Sequence, residues 1–124
     1  MSTAETLGLG AYCLVTQVSV DEPICGKKVM VTAEKNPSGK IVITVESDCE
    51  DLQALSQNLK EVGMEDACRG FDQNPIYISA RESDLHPTCL VPCAIVNAVW
   101  VELGLISRSM TQDEKMRELK VRFI

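Results

Sequence analysis

The chain changes its hydrophobic period once, and this change limits the possible architectures more than any other feature. Residues 11–20, 28–34 and 40–46 alternate apolar and polar side chains and are rich in β-branched residues, which is typical of strands with one buried face. Proline-containing segments at 21–23 and 36–39 separate these stretches and favour turns. The first third of the chain therefore predicts a three-stranded antiparallel meander.

Beyond residue 46 the apolar residues recur at helical spacing. The pattern predicts an amphipathic helix that opens at the capping-box pair Ser47 and Glu50 and stops at Gly63. Residues 75–80 are predicted to form a fourth strand, and residues 92–103 a second helix. Together these elements predict an α+β fold in the order β-β-β-α-β-α, in which a crossover helix leads to the fourth strand and the helices pack on one face of the sheet.

The 124 residues are expected to form a single domain, 1–124, with a core at about 11–105 and a C-terminal helical tail at 106–124. A second capping-box pair, Thr111 and Glu114, predicts that a short helix opens in this tail. The formal charge of −6 argues against a nucleic-acid partner, which would need a basic face. Polar residues interrupt the longest apolar stretch, 90–105, so no membrane partner is expected either. Because no secretory signal is visible at the start, the expected location is the cytoplasm.

Six cysteines are many for a chain of this length. In a reducing compartment, clustered cysteines more often indicate metal binding or thiol chemistry than disulfides. The up-and-down path of the predicted elements brings to one edge of the domain the residues Cys25, Cys49, His86, Cys89 and Cys93. Cys13 and Cys68 fall at the opposite edge, roughly 20 Å away at about 3.3 Å per strand residue.

The residue types at that edge suit a metal centre. Cys89 and Cys93 are four residues apart near a predicted helix start, a spacing that suits two thiolate ligands of one ion. Cys49 and Cys93 lie in predicted first helical turns, where the helix dipole favours thiolates. We therefore predict that Cys25, Cys49, Cys89 and Cys93 hold an iron–sulfur cluster or zinc, with His86 as a further ligand, an outer-shell donor or a solvated loop residue. The spacing matches neither a standard zinc finger nor a ferredoxin run, so it leaves the ion open.

Other interpretations stay open at this point. Cysteines often serve as small core residues, which is the preferred account of Cys13, while Cys68 is expected to be a loop thiol. The thiol-redox alternative makes Cys49 a low-pKa nucleophile that Cys89 or Cys93 resolves as a disulfide. A third alternative is a non-catalytic interaction domain that forms a homodimer through the 92–103 helix. No catalytic motif is recognisable, which favours a binding protein over an enzyme, and a cluster centre would imply a redox or cluster-accepting protein partner.

Three segments resemble an uncharacterised family: residues 24–26, 46–50 and 86–93, which read Ile-Cys-Gly, Glu-Ser-Asp-Cys-Glu and His-Pro-Thr-Cys-Leu-Val-Pro-Cys. The family is a domain of unknown function found in small cysteine-containing bacterial and archaeal proteins, frequent in anaerobes. The resemblance spans about residues 20–105. It carries no established activity, and it implies that Cys25, Cys49 and Cys89 belong to one pattern, with Cys93 as an additional member.

Overall fold

A computed structural model describes residues 15–22 and 26–124 of the chain. Four strands form one antiparallel sheet in the order β1-β2-β3-β4. They are β1 (Thr16–Asp21), β2 (Lys28–Lys35), β3 (Ile41–Glu46) and β4 (Glu61–Val62). The described helices are α1 (Glu50–Asn58), α2 (Met64–Ala67), α3 (Pro75–Glu82), α4 (Val91–Glu102) and α5 (Arg108–Gln112). The α+β class, the order β-β-β-α-β-α and the meander are therefore confirmed.

The alternating pattern of the strands separates a core face from a solvent face. The buried side chains of the sheet include Val29, Val31 and Ala33 of β2 and every second residue of β3 from Ile41 to Val45. Helix α4 packs across β1 and β2, and α1 packs on β3, so both cover this face. Ile95 and Val99 of α4 are completely buried there. The expected packing of helices on one face is confirmed, and none of the described helices is long and apolar enough to cross a membrane.

The fourth strand is not where the sequence placed it. Residues 75–80 were expected as a strand, but they lie in helix α3. The side chain of Asn74 caps this helix by accepting a hydrogen bond from the Ile76 N–H at 3.0 Å, and Pro75 occupies the first turn. The strand is instead the two-residue β4, which pairs antiparallel with β3 and not parallel through a crossover.

Two predicted helix starts also differ. Cys49, and not Ser47, is the N-cap residue of α1, and it makes no side-chain cap bond. The Ser47 hydroxyl instead accepts from the Cys49 N–H at 3.1 Å. The C-terminal helix begins after Ser107 and ends at Gln112, so the pair Thr111 and Glu114 does not open it. In the tail beyond this helix, the side chains of Met116 and Leu119 are 53% and 60% exposed.

A buried ion pair attaches α5 to the sheet. The Glu102 side chain is 3% exposed, and its Oε2 atom accepts from Arg108 Nη2 at 2.7 Å. The same oxygen accepts from the Thr16 hydroxyl at 2.7 Å, and Oε1 accepts from the Lys35 N–H at 3.3 Å. Because these donors satisfy both carboxylate oxygens, the charge of Glu102 can be tolerated at the end of α4.

Candidate functional site

Three segments meet at the edge of the sheet where β1 and β3 end. Glu22 directly follows β1, Cys49 directly precedes α1, and residues 85–90 form the loop that leads into α4. They enclose a cavity of about 80 Å³, which we call the rim pocket. Its lining consists of Glu22, Cys49, Asp51, Leu52, Leu85, His86, Thr88 and Cys89. Of the sequence-predicted site residues, the rim pocket brings together Cys49, His86 and Cys89.

Glu22 is the polar centre of the rim pocket. The residue is only 5% exposed, and its Oε2 atom accepts two hydrogen bonds, from the Cys89 thiol at 3.2 Å and from the Leu90 N–H at 2.8 Å. Its main chain is fixed as well, since the Gly26 N–H donates to the Glu22 carbonyl at 2.8 Å and the Glu22 N–H donates to the Lys27 carbonyl at 3.0 Å. Glu22 therefore joins the β1–β2 connection to the loop before α4.

The short β1–β2 connection depends on a glycine. Gly26 has a φ of +68°, a left-handed conformation that side-chain-bearing residues rarely adopt. Cys25, which precedes Gly26 in the chain, lies outside the described residues, as does Cys13. The predicted ligand role of Cys25 and the predicted core role of Cys13 therefore stay predictions.

The environment of Cys89 favours its neutral thiol. Burial is the largest cause that raises the pKa of Cys89 to about 12, and the hydrogen bond to Glu22 and the charges of Glu22 and Cys49 act in the same direction. The backbone N–H of Val91 opposes them by hydrogen bonding to the sulfur. In this structure Cys89 is thus a protonated donor to a carboxylate at neutral pH.

Cys93 is not part of the rim pocket lining. Its side chain is exposed on α4, where its sulfur lies 3.5 Å from Asn97 Nδ2. The pKa of Tyr77 is raised, mainly by the burial of Tyr77 and to a smaller extent by the charge of Cys93. The i, i+4 argument for pairing it with Cys89 does not apply, because α4 begins only at Val91 and Cys89 precedes the helix.

Cys68 is exposed just after α2. The carbonyl of its neighbour Ala67 accepts from Trp100 Nε1 at 2.9 Å, nine residues beyond the start of α4. At about 1.5 Å per helical residue, this places Cys68 roughly 13 Å along α4 from the rim pocket, as expected of a loop thiol remote from the site.

Within residues 15–22 and 26–124, no three histidine, cysteine, aspartate or glutamate side chains are already arranged as metal ligands. The side chains that line the rim pocket would have to reorient around an ion.

Sequence reasoning missed Glu22. The residue appears in the sequence only as part of a strand-breaking segment before Pro23, and an acidic residue in such a segment is normally solvated. Glu22 follows the end of β1 and therefore lies at the same edge of the sheet as Cys49. This position was the only signal in the sequence that could have indicated Glu22 as a site residue. Its burial depends on the 85–90 loop folding over it, and no local pattern predicts that contact.

A family model described as a family of unknown function, DUF6951, matches residues 16–113. The match includes Cys25, Cys49, Cys68, Cys89 and Cys93 and the whole described sheet. Neither the curated proteins nor the solved structures contain a match. The description of this family names no activity.

Proposed function

The chain belongs to the family of unknown function DUF6951, and we propose that it is a thiolate-based metal-binding protein whose centre forms at the rim pocket. The observation that carries this proposal is the convergence of Cys49, Cys89 and a buried carboxylate on one small cavity, next to the loop that contains Cys25. The proposed centre is zinc or an iron–sulfur cluster.

The proposed ligands are Cys25, Cys49 and Cys89. Thiolates suit both zinc, with bonds of about 2.3 Å, and iron–sulfur clusters. Cys93 was predicted as the fourth sulfur, but it would have to turn away from Asn97 and across the start of α4 to take part. His86 lines the pocket with an exposed side chain and is retained as a ligand or an outer-shell donor.

The biological role would follow from the ion. Four protein ligands around zinc leave no open catalytic position, so a zinc centre would be structural. An iron–sulfur centre would serve electron transfer, cluster carriage or sensing, with a redox or cluster-accepting protein as partner. We propose a cytoplasmic location, because thiols remain reduced there. A homodimer through the 92–103 helix is not part of the proposal, since seven side chains of α4 are already buried within the chain.

A thiol-redox protein is the second candidate. It is favoured by the shared position of Cys49 and Cys89 in the rim pocket, which makes Cys89 a better resolving partner for Cys49 than the exposed Cys93. The raised pKa of Cys89 counts against fast exchange, because the thiolate is the reacting form.

The test is anaerobic purification followed by measurement of iron, zinc, acid-labile sulfide and the visible spectrum. We expect about one zinc ion or one iron–sulfur cluster per chain, lost in Cys49→Ser and in Cys89→Ser. Cys68→Ser, at an exposed thiol remote from the pocket, is the matched control and should keep the full content. Metal-free wild-type protein, or metal that survives both pocket substitutions, would contradict the proposal. Metal-free protein in which Cys49 and Cys89 form a disulfide under mild oxidation would support the second candidate.

A further inference from the structure

We propose that residues 119–124 of one copy of this chain, which we call the tail segment, bind as an added strand along the outer edge of β1 in a second copy. The reciprocal contact of the second copy with the first closes a two-fold symmetric dimer. This inference goes beyond the proposed function, because it concerns the edge of the sheet and needs no metal in the rim pocket.

The outer edge of β1 suits strand addition. Among the described residues, β2 is the one strand that pairs with β1, which makes β1 an edge strand. Alternate residues of an edge strand direct their N–H and C=O groups away from the sheet, where another strand can bind them. Apart from its pairing with β2, the main chain of Thr16–Asp21 makes no backbone hydrogen bond to residues 15–22 or 26–124. Its outward groups can therefore pair with a strand from another molecule.

The tail segment has the sequence pattern of a strand. It reads Leu-Lys-Val-Arg-Phe-Ile, in which apolar and basic side chains alternate from Leu119 to Phe123. This period of two, with β-branched and aromatic residues, is typical of a strand that has one buried face. The segment has no regular secondary structure, and Leu119, Val121 and Phe123 are 60%, 87% and 95% exposed. It thus presents a row of apolar side chains that the described part of its own chain leaves uncovered.

One antiparallel register matches both faces of the two strands. The opposed pairs in this register are Val18 with Phe123, Val20 with Val121, and Asp21 with Lys120. Val18 and Val20 pack against the core, and Val18 is only partly buried there. The apolar side chains of the tail segment therefore extend the core at its β1 edge, while Lys120 and Arg122 lie on the solvent face.

The end of β1 provides a charge that complements the tail segment. A shallow groove of about 340 Å³ lies there, and the charged residues of its lining are Asp21, Lys28 and Glu46. Neither acidic residue forms an ion pair with residues 15–22 or 26–124. In the dimer Lys120 stands opposite Asp21 and supplies this carboxylate with an ion-pair partner.

The distribution of charge favours a second copy as the partner. Residues 115–124 contain four of the 12 lysine and arginine residues and one of the 18 acidic residues. Their formal charge of +3 contrasts with −6 for the whole chain. The acidic body of one copy therefore attracts the tail segment of another, whereas an anionic membrane surface would repel that body.

Within one chain, the tail segment starts from the wrong end of β1 to form this register. Arg108 of α5 donates to the Thr16 hydroxyl at 3.3 Å, so α5 lies at the start of β1. The antiparallel register begins at the other end, beside Asp21, about 17 Å away at about 3.3 Å per residue. A turn at 113–117, closed by two N–H groups that donate to the Asp113 carbonyl, shortens the connecting segment. A second copy can meet the tail segment without opening this turn.

Sedimentation equilibrium of the full chain between about 1 and 500 µM tests the proposal. We expect a monomer–dimer equilibrium with a Kd in the micromolar range, so that the single chain prevails at the lower concentrations. Phe123→Ser removes a large apolar contact without a change in charge, and the exposed position of Phe123 leaves the fold of the single chain intact. We expect at least about 10-fold weaker dimerisation. Met116→Ser makes the same kind of change at an exposed residue outside the tail segment and should dimerise as wild type does.

An exchange of charges tests the register. Lys120→Asp and Asp21→Lys each place like charges opposite one another, and each is expected to weaken self-association about 5-fold or more. Their equimolar mixture restores opposite charges in both contacts and should associate as tightly as wild type. Lys115→Asp makes the same charge change outside the tail segment and should stay within about 2-fold of wild type.

Each alternative partner of the tail segment has its own readout. Slow amide hydrogen exchange of residues 119–124 at low concentration would show that the segment pairs with β1 of its own chain. Binding of monomeric protein to vesicles of phosphatidylcholine and phosphatidylserine, lost in Phe123→Ser, would assign the segment to a lipid surface. Either result would overturn the proposal, as would wild-type protein that stays monomeric throughout, or a dimer that Phe123→Ser leaves unchanged.

The metal content of the same samples keeps this proposal separate from the proposed function. Phe123 does not line the rim pocket, so Phe123→Ser should keep the metal content of wild type. Metal-loaded wild-type protein that remains monomeric would overturn the dimer alone. A metal-free dimer would overturn the proposed function alone.

Discussion

The Cys89 thiol is predicted to react with alkylating agents much more slowly than an ordinary cysteine when no metal is bound. Its pKa is raised from 9.0 to about 12, mainly by burial and further by Glu22 and Cys49. At a pH of about 7.5 this lowers the thiolate fraction about 1,000-fold. A more basic thiolate is also more nucleophilic. With a Brønsted coefficient of about 0.4–0.5, the intrinsic reactivity of the Cys89 thiolate is about 20-fold higher, which partly offsets the smaller thiolate fraction. The net expectation is a reaction about 50-fold slower than that of a thiol with a pKa of 9.0.

The assay is timed iodoacetamide labelling of reduced, chelator-treated protein, with each cysteine followed by peptide mass spectrometry. Cys68 is exposed and serves as the reference within the same molecule. Because the pKa is raised, the labelling rate of Cys89 should keep increasing about tenfold per pH unit above pH 9, where an ordinary thiol levels off. In Glu22→Gln the rate should increase, since the charge of Glu22 is lost while the burial remains. Labelling of Cys89 at the rate of Cys68 at pH 7.5 would refute this account of its environment.

Three further predictions concern stability. Arg108→Ala should lower the free energy of unfolding by about 1–3 kcal/mol, because it leaves the buried Glu102 carboxylate without its cation; an unchanged urea midpoint would contradict a structural role for this pair. Trp100→Phe should cost about 1 kcal/mol in the same assay, since it removes the hydrogen bond to the Ala67 carbonyl, and no loss at all would mean that water replaces this bond without cost. Deletion of residues 114–124, all of which are exposed, should change the free energy of unfolding by less than about 0.5 kcal/mol, and a larger change would reveal packing of this segment.

The meander could be predicted because each strand has a buried face with a period of two residues. The fourth strand could not, because two residues carry no period and β4 exists only through its pairing with Ile41 and Val42. Residues 75–80 were wrongly predicted as a strand because Ile76 and Ile78 are β-branched. Asn74 and Pro75, by contrast, are residues that favour the start of a helix. In α3, tertiary burial of Ile76, Ser79 and Ala80 at helical spacing outweighs the strand propensity of isoleucine.

The meeting of Cys49 and Cys89 at one edge of the sheet was predictable for a reason that does not depend on the fourth strand. Cys49 follows the end of β3 and Cys89 precedes α4, and both elements are as expected from the sequence. The role of Cys93 was inferred from helical spacing, which requires both cysteines to lie in the helix. Glu22 was beyond prediction, because its burial arises from contact with a loop more than sixty residues later in the chain.

The Cys89 thiol in the rim pocket carries a proton that must leave before its sulfur can bind the proposed ion. The affinity for zinc is therefore expected to depend on pH. The three proposed thiolates carry three negative charges, of which a divalent ion neutralises two. The positive end of α4 lies beside Cys89, and the Val91 N–H already donates to the Cys89 sulfur, so the backbone favours the thiolate of this ligand. The proton on Cys89 competes with the ion, since its pKa is raised to about 12. The apparent affinity for Zn²⁺ should therefore increase at least about tenfold per pH unit between about pH 6 and 8, and an affinity independent of pH in this range would exclude Cys89 as a ligand.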